Sequence, residues 1–266
     1  MYNAISVATN NFSNRNIIGN GNSSTVYTGI FANSERAFKL FNNPISFQHE
    51  INIFHVLLPH PNIINLIDNY TKNNHNILIL EYMIEGNLNN YIERQIPINE
   101  REILRRLKIS LDISEGIRHM HHNDILHKDI NASNVLLDSE YNAKICDFEL
   151  SRNINHQDNQ FFQRGHIGYF EFNNYIPYTR TQDIYRLGVI FIELITNTHA
   201  NAHHREQREL PNYVLHDVNI QQGWPQTFLN IAEQCCTHVD NRPNAEFLTE
   251  NIQNIINNMN QNANIN

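Results

Sequence analysis

The sequence has few of the residues that mark secreted, membrane-spanning or nucleic-acid-binding proteins. Three cysteines in 266 residues are too few for a disulfide framework, so we expect a reducing compartment, the cytoplasm. No run approaches the roughly 18 apolar residues of a membrane helix, and the first residues do not resemble a secretory leader. The lack of such a run predicts no membrane insertion. Acidic residues outnumber Lys and Arg by 27 to 19, so we expect no nucleic-acid partner.

Glycine and lysine are also scarce, with nine and five residues respectively. In such a chain, a pair of glycines marks a place where the backbone needs a positive φ or lies close to another group. Asparagine is abundant, which codon bias or drift explains. An Asn at an unexpected position is therefore weak evidence, whereas a retained Lys or Gly is stronger evidence.

The hydrophobic pattern changes along the chain. Short β-type runs dominate the first third, at 16–18, 25–28, 36–40 and 77–80, with one helical pattern over 46–58. Beyond Gly86 the pattern is helical, with an amphipathic stripe over 100–122 and an almost wholly apolar segment over 185–196. The sequence therefore predicts an α+β protein in which a small β-rich lobe precedes a larger helical lobe, with the boundary near residues 81–86.

Three segments of the first lobe carry weak signals. Gly19 and Gly21 lie in a turn between two predicted strands, where backbone N–H groups can bind phosphate, although such a pair also occurs in ordinary hairpins. Lys39 lies in the middle of a predicted strand, a position that is usually solvated. Glu50 lies in the helical pattern and can pair with Lys39, as many surface acids can. None of the three is specific alone.

The segment from His127 to Leu137 is more specific. Asp129 and Asn134 lie five residues apart in a loop before an apolar strand, and Asp147 follows the next short strand. Asp129 can accept a hydroxyl proton, while the Asn134 amide and the Asp147 carboxylate offer the oxygen ligands that Mg²⁺ prefers.

In order, these segments resemble the signature set of protein kinases. Additional segments agree with that order, namely 60–63, 81–88, 165–169, 183–189 and 236–243. The resemblance covers about 12–255, and residues 8–13, 193–196 and 242–243 are similar to plant receptor-like kinases, Pelle and the interleukin-receptor-associated kinases. It implies a bilobal kinase fold: an N-terminal extension (1–14), a small antiparallel β-sheet lobe with one helix and the hinge (15–83), a larger mainly helical lobe (84–255) and an Asn-rich tail (256–266). Separately, the low-complexity composition from about Asn251 predicts that the tail frays into solvent after a last helical turn.

The resemblance also implies a role for each matching residue. Gly19 and Gly21 would cover the phosphates of ATP, and Lys39 would bind the α- and β-phosphates while Glu50 fixes that lysine. Asp129 would be the catalytic base. Two residues, Asn134 and Asp147, would bind Mg²⁺ or Mn²⁺. Five residues would contact the adenine ring: the side chains of Val26, Ala37 and Leu136, and the backbone of Glu81 and Met83.

The chain departs from the kinase pattern at several positions. In the first lobe, Ser24 stands where the family usually has a third loop glycine. In the catalytic loop, Lys128 replaces an Arg and Asn131 replaces a Lys. Further along, Glu149 replaces the glycine after Asp-Phe, His166 replaces a Thr and Asn173 replaces a Glu. Residues 152–168 contain no Ser or Thr, so switching by phosphorylation within that loop would be unavailable or unconventional.

Three functions therefore remain open at this point. The first is a protein serine/threonine kinase that transfers the γ-phosphate of ATP to a protein substrate in signalling, because the phosphate- and metal-binding residues are all present. The second is a pseudokinase that binds nucleotide or a partner and acts as a scaffold or allosteric switch, because the departures cluster on the substrate side. The third is a small-molecule phosphotransferase on a related fold.

Overall fold

A five-stranded antiparallel sheet is the main element of the first third of the chain. The computed structural model describes residues 1–72, 75–155, 169, 178–199 and 222–263. The strands of this sheet are β1 (Ile17–Asn20), β2 (Ser24–Phe31), β3 (Ser34–Phe41), β4 (Leu66–Lys72) and β5 (His75–Glu81). Their order is β1-β2-β3-β5-β4, so β3 lies at the centre and is paired along its length with β2 and β5.

The two faces of the sheet have different partners because side chains alternate along a strand. On one face, Tyr27, Phe38, Ile77 and Ile79 form a small buried cluster. On the other face, the side chains of β3 and β5 join the main core, and Lys39 lies between Val26 and Leu78 in the register of the sheet. The period of two therefore directs Lys39 toward the rest of the molecule.

The small cluster is covered by α1 (Tyr2–Ala8), a helix that the sequence did not predict. Ile5 is fully buried against the sheet, which contributes roughly 2 kcal/mol of transfer free energy. A Cβ at Gly29 would lie 2.1 Å from the backbone oxygen of Ala8, so this glycine permits the close approach of α1 to β2. Seven residues are too few for helical periodicity to be recognised.

Helix α2 (Pro44–Leu57) crosses the other face of the sheet. The Asn43 side chain caps its start by accepting a hydrogen bond from the Ile45 N–H at 2.8 Å, and Pro44 occupies the first turn, where a missing N–H costs nothing. The buried face of α2 is apolar except for Glu50, which is 1% exposed. A buried carboxylate needs a partner, and Lys39 supplies it.

The second lobe contains short strands and most of the helices. The strands are β6 (Gly86–Asn87), β7 (Ile125–Leu126), β8 (Val135–Leu137), β9 (Ala143–Ile145) and β10 (Arg152–Asn153), and the helices are α3 (Leu88–Glu93), α4 (Glu100–His122), α5 (Arg180–Thr196), α6 (Gln226–Cys235) and α7 (Ala245–Ala263). The small β-sheet lobe and larger helical lobe confirm the predicted α+β kinase-like fold. No helix within the described residues combines the length and the apolar character needed to cross a membrane.

Helices α4 and α5 form the centre of this lobe. Helix α4 has the bounds that its periodicity predicted, whereas α5 begins five residues earlier than the apolar segment at Tyr185. Gln182 explains the earlier start, because its Oε1 accepts a hydrogen bond from the Thr179 N–H at 2.7 Å and caps the first turn. Arg106, fully buried, joins the two helices by donating to Glu102 and to the carbonyl oxygen of Leu194.

The C-terminal helix continues through the Asn-rich segment to Ala263. The expectation that the chain frays from about Asn251 after a last helical turn is therefore wrong as far as Ala263. Ile252, Ile255, Ile256 and Met259 recur at helical spacing and pack against the main core, so burial of this stripe outweighs the low helix propensity of the intervening asparagines.

Candidate active site

The turn from Gly19 to Ser23, called the glycine turn below, and strand β3 form the wall of the site on the side of the first lobe. Gly19 pairs with Val26 in β1 and β2, and Gly21 lies in the turn, where its N–H donates to the Ser24 carbonyl at 2.9 Å. Neither glycine has a positive φ. A need for positive φ therefore does not explain these two glycines. The other explanation, that another group lies close to the backbone, still applies.

The five predicted adenine contacts lie around the junction between the lobes. Ala37 and Met83 are buried, while Val26 and Leu136 are half-buried at the edge of the core. The Glu81 carboxylate accepts hydrogen bonds from Lys144 Nζ and from the Asn65 N–H, both at 2.7 Å. Because its side chain is held by these two groups, the end of β5 is fixed between the two lobes.

Lys39 forms a buried ion-pair cluster with two carboxylates. Its Nζ lies 2.7 Å from Glu50 Oε2 and 2.8 Å from Asp147 Oδ1. Burial lowers the pKa of Lys39, but the charges of Asp147 and Glu50 more than offset it and raise the pKa above its usual value. The charge of Lys39 in turn holds the pKa of Asp147 below its usual value. The lysine is thus a permanent cation held by α2 and aimed at Asp147.

Phe148 fixes the position of Asp147 from the opposite side. Its ring is fully buried and packs edge-on against Phe54 of α2, with ring centroids 5.2 Å apart, and against His127 at 5.6 Å. Asp147 itself has φ 66, a left-handed conformation that costs roughly 1–2 kcal/mol for a residue with a Cβ. Packing of Phe148 offsets that cost and turns the carboxylate toward Lys39.

The catalytic loop brings Asp129 and Asn134 together. Asn134 Nδ2 donates to the Asp129 backbone oxygen at 2.9 Å and to its Oδ2 at 3.1 Å. Asn131 is buried, donates to the same backbone oxygen, and accepts from the Ser133 N–H, both at 2.9 Å. Because two amides hold its backbone, the Asp129 carboxylate has a defined direction. Drift toward Asn was enough to explain Asn131 from the sequence, but in the structure its side chain holds the loop at Asp129 and Ser133.

Asp183 in α5 anchors this loop from below. Its two oxygens accept the N–H groups of His127 and Lys128, each at 3.0 Å, and His121 lies 3.0 Å from Oδ2. Burial alone would raise the pKa of Asp183, but hydrogen bonding and charge from His121 and the neighbouring His127 hold it below its usual value. Lys128 has φ 70, and this anchor stabilises that conformation. The sequence placed Asp183 in a motif without giving it this role.

The donor set at the centre of the site fits a magnesium ion. Asn134 and Asp147 are joined through the backbone, since the Cys146 N–H donates to the Asn134 carbonyl at 2.9 Å. The Asn134 amide nitrogen is engaged with Asp129, so the amide oxygen is the atom that would serve as a ligand, beside the Asp147 carboxylate. Amide and carboxylate oxygens are what Mg²⁺ takes from proteins when phosphate supplies the other ligands.

Besides Asn131, two departures, Glu149 and Lys128, make contacts with other segments. The Ser23 hydroxyl in the glycine turn donates to Glu149 Oε2 at 2.5 Å, so Glu149 ties the turn to the start of the loop that carries Asp147. Lys128 Nζ lies 5.4 Å from the Tyr178 ring centroid. Ser24 is buried in β2. His166 and Asn173, and the segments 165–168 and 171–173, lie outside the described residues.

Under the protein-kinase function that the sequence predicts, replacing Glu149 with Gly is expected to raise the rate of phosphate transfer about three- to tenfold, equivalent to about 1 kcal/mol. The change releases the glycine turn and removes an anion next to Asp147. Glu149→Gln and Ser23→Ala separate the two causes, since the first removes only the charge and the second only the hydrogen bond. Initial rates at saturating ATP measure the effect, and an unchanged or lower rate in Glu149→Gly would contradict it.

Comparison with known proteins agrees with this geometry. The protein kinase domain family matches residues 12–263. The chain belongs to the protein kinase family. Relatives in Arabidopsis thaliana include "Probable serine/threonine-protein kinase PBL28", 34% identical over 73% of this chain and 56% of the relative, and "Calcium/calmodulin-regulated receptor-like kinase 2", 34% identical over 80% and 49%. A third, "Serine/threonine-protein kinase BIK1", is 28% identical over 94% of this chain and 67% of its own length.

These relatives confirm the predicted resemblance to the plant receptor-like kinases. The chain spans about half the length of the first two relatives. Membership of the kinase family implies the use of ATP with a divalent cation and of protein substrates in general.

Proposed function

We propose that this kinase domain transfers the γ-phosphate of ATP to serine or threonine hydroxyls of a protein substrate, with Mg²⁺ as the metal. One observation supports this most: Lys39 contacts both Glu50 and Asp147 while Phe148 packs beneath α2. Kinase catalysis depends on positioning the phosphates and neutralising their charge. In this structure Lys39 and Asp147, the residues proposed for these tasks, are already in contact.

In this proposal each residue acts at a stated atom. The backbone of the Gly19–Gly21 turn and Lys39 Nζ bind the phosphates, and Val26, Ala37, Leu136 and the backbone of Glu81 and Met83 hold the adenine ring. An Asp129 carboxylate oxygen accepts the proton of the substrate hydroxyl as that oxygen bonds to the γ-phosphorus. The bond from phosphorus to the β–γ bridging oxygen then breaks, and ADP leaves.

Asn134 and Asp147 are the residues that would hold the metal. Bound Mg²⁺ neutralises negative charge on the phosphate oxygens. The departures on the substrate side, Asn131 and Glu149, favour the pseudokinase alternative, in which nucleotide binds and no phosphate is transferred. The predicted cytoplasmic location rests in part on the scarcity of cysteines, none of which forms a disulfide in the structure. It stays a prediction, as do the substrate and any signalling partner.

Phosphate transfer from labelled ATP tests the proposal. Acceptors are the protein itself and a generic basic protein, with Mg²⁺ and then Mn²⁺, and nucleotide binding is measured in parallel by calorimetry. Incorporation on Ser or Thr above the level of an Asp129→Asn control is expected. Nucleotide binding without incorporation would instead support the pseudokinase, and transfer to small metabolites alone would support the third alternative.

A further inference from the structure

Arg186 places a buried positive charge beneath the catalytic loop. It lies in α5, in a stretch that is otherwise mostly apolar, and is 1% exposed. Its Nη1 lies 3.4 Å from Asp129 Oδ1, and its guanidinium lies 6.0 Å from the Tyr178 ring centroid. Burying a guanidinium costs several kcal/mol unless an anion compensates it, and the Asp129 carboxylate is such an anion.

The Asp129 carboxylate is therefore held from two directions. Arg186 contacts Oδ1 from α5, and Asn134 contacts Oδ2 from the loop. The guanidinium fixes the carboxylate through a long and rigid helix, whereas the amide belongs to the same loop as Asp129. A carboxylate fixed by groups from two elements has less freedom to rotate, which is what an effective general base requires.

The charge of Arg186 matters because residues 127–134 contain only one Lys or Arg, Lys128, whose Nζ lies 5.4 Å from the Tyr178 ring centroid. Asn131, where the kinase pattern has a lysine, is neutral, and both ends of its amide are occupied. A phosphate group that approaches Asp129 meets a like charge, which raises the free energy of the encounter. A cation beside Asp129 offsets that repulsion without contacting the phosphate.

We propose that Arg186 is a positioning residue for the catalytic base: it orients Asp129 from α5 and supplies the positive charge that Asn131 does not. The proposal rests on the proposed function, since it assigns Arg186 a part in phosphate transfer. It also makes a separate claim, that Arg186 and Asp129 are energetically paired, which is measurable without any transfer.

Kinetics of Arg186→Met test the first part. We expect kcat to fall about 10²-fold, with KM for ATP within about threefold of the wild-type value, because the residue acts through Asp129 and not on the nucleotide. Arg186→Lys should recover at least about tenfold of the loss. In the double variant Arg186→Met/Asn131→Lys, the cation returns on the other side of Asp129, and we expect recovery of about fivefold or more.

Arg106 provides the matched control. It is as deeply buried as Arg186, and it pairs with Glu102 and not with the site. Arg106→Met should lower the midpoint of unfolding while kcat of the folded protein stays within about twofold of the wild-type value. If Arg186→Met does not fold, Arg186→Gln, which keeps hydrogen-bond donors without the charge, replaces it.

A double-mutant cycle in urea unfolding tests the second part. Arg186→Met, Asp129→Asn and the combined variant are compared with wild type, all without nucleotide. We expect the combined loss of stability to be smaller than the sum of the single losses, because either change alone breaks the pair.

The possible results separate the two proposals. A wild type that transfers no phosphate overturns the proposed function, while the cycle still reports on the pairing. Additive losses in the cycle, or a kcat within about threefold of wild type in a folded Arg186→Met, overturn the role of Arg186. A fall in kcat that neither lysine variant relieves also overturns it, since it indicates packing alone.

Discussion

Asp129→Asn is expected to lower phosphate transfer by about 10³-fold or more while the protein stays folded and still binds nucleotide. The amide has nearly the shape of the carboxylate, and the backbone oxygen of residue 129 keeps its hydrogen bonds from Asn131 and Asn134. An amide oxygen, however, is far too weak a base to accept the substrate proton. The chemical step should be lost, together with the part of the stability that the Arg186–Asp129 ion pair contributes.

Initial rates with labelled ATP, together with nucleotide affinity and the thermal unfolding midpoint, measure this effect. The nucleotide affinity should stay within about threefold of wild type because Asp129 does not contact the phosphates in the proposed arrangement. Asp138→Asn serves as the control, because Asp138 binds its own β8–β9 turn through Asn142 and no residue of the site. Residual transfer in Asp129→Asn equal to wild type would remove the role of base from this residue.

Asp183→Ala is expected to cost about 3–5 kcal/mol of unfolding free energy and to abolish transfer. The change leaves the buried N–H of His127 and the partly buried N–H of Lys128 without their acceptor. It also removes the partner of the Tyr178 hydroxyl, which lies 2.8 Å from Asp183 Oδ1. The loop that carries Asp129 then loses its attachment to α5, so stability and activity fall together.

Urea unfolding and transfer rates measure this prediction, with Asp240→Ala as the control. Asp240 is an acid of the same lobe with a side chain 83% exposed, and its loss should change stability by no more than about 0.5 kcal/mol. A destabilisation in Asp183→Ala no larger than that of the control would contradict the anchoring role.

The pH dependence of that effect has a definite sign. The folded-state pKa of Asp183 lies below the ordinary value of 3.8, so its contribution to stability is complete above that value and is lost as the pH falls through the folded pKa. The difference in unfolding free energy between wild type and Asp183→Asn is therefore expected to shrink as the pH falls below 3.8, as urea unfolding over a pH series would measure.

The spacing of residues along the chain was enough to predict the three candidate residues of the second lobe. Asp129, Asn134 and Asp147 follow one another within 19 positions in the sequence, and the structure places their loops in contact through the Cys146–Asn134 hydrogen bond. The central helices were also readable, because long apolar periodicities such as that of α4 outweigh local propensity.

The short elements were not readable, for a related reason. Helix α1 has too few residues for a period, and Ile5 is recognisable as a core residue only once the sheet is in place. The length of the C-terminal helix was not predicted for a different reason. Its asparagines suggested a polar tail, whereas the apolar stripe that includes Ile256 and Met259 packs against the core. Burial against another element decided both cases.

The sequence by itself determined the order of the functional residues, the two lobes, and the family to which the chain belongs. Only the tertiary structure decided that Asp183 and Arg186 lie beneath the catalytic loop, more than 50 positions from Asp129 along the chain, and that Ser23 reaches Glu149 across 126 positions. Local spacing constrains residues of one loop or helix. Contacts between distant segments depend on how helices and sheet pack, which no short segment encodes alone.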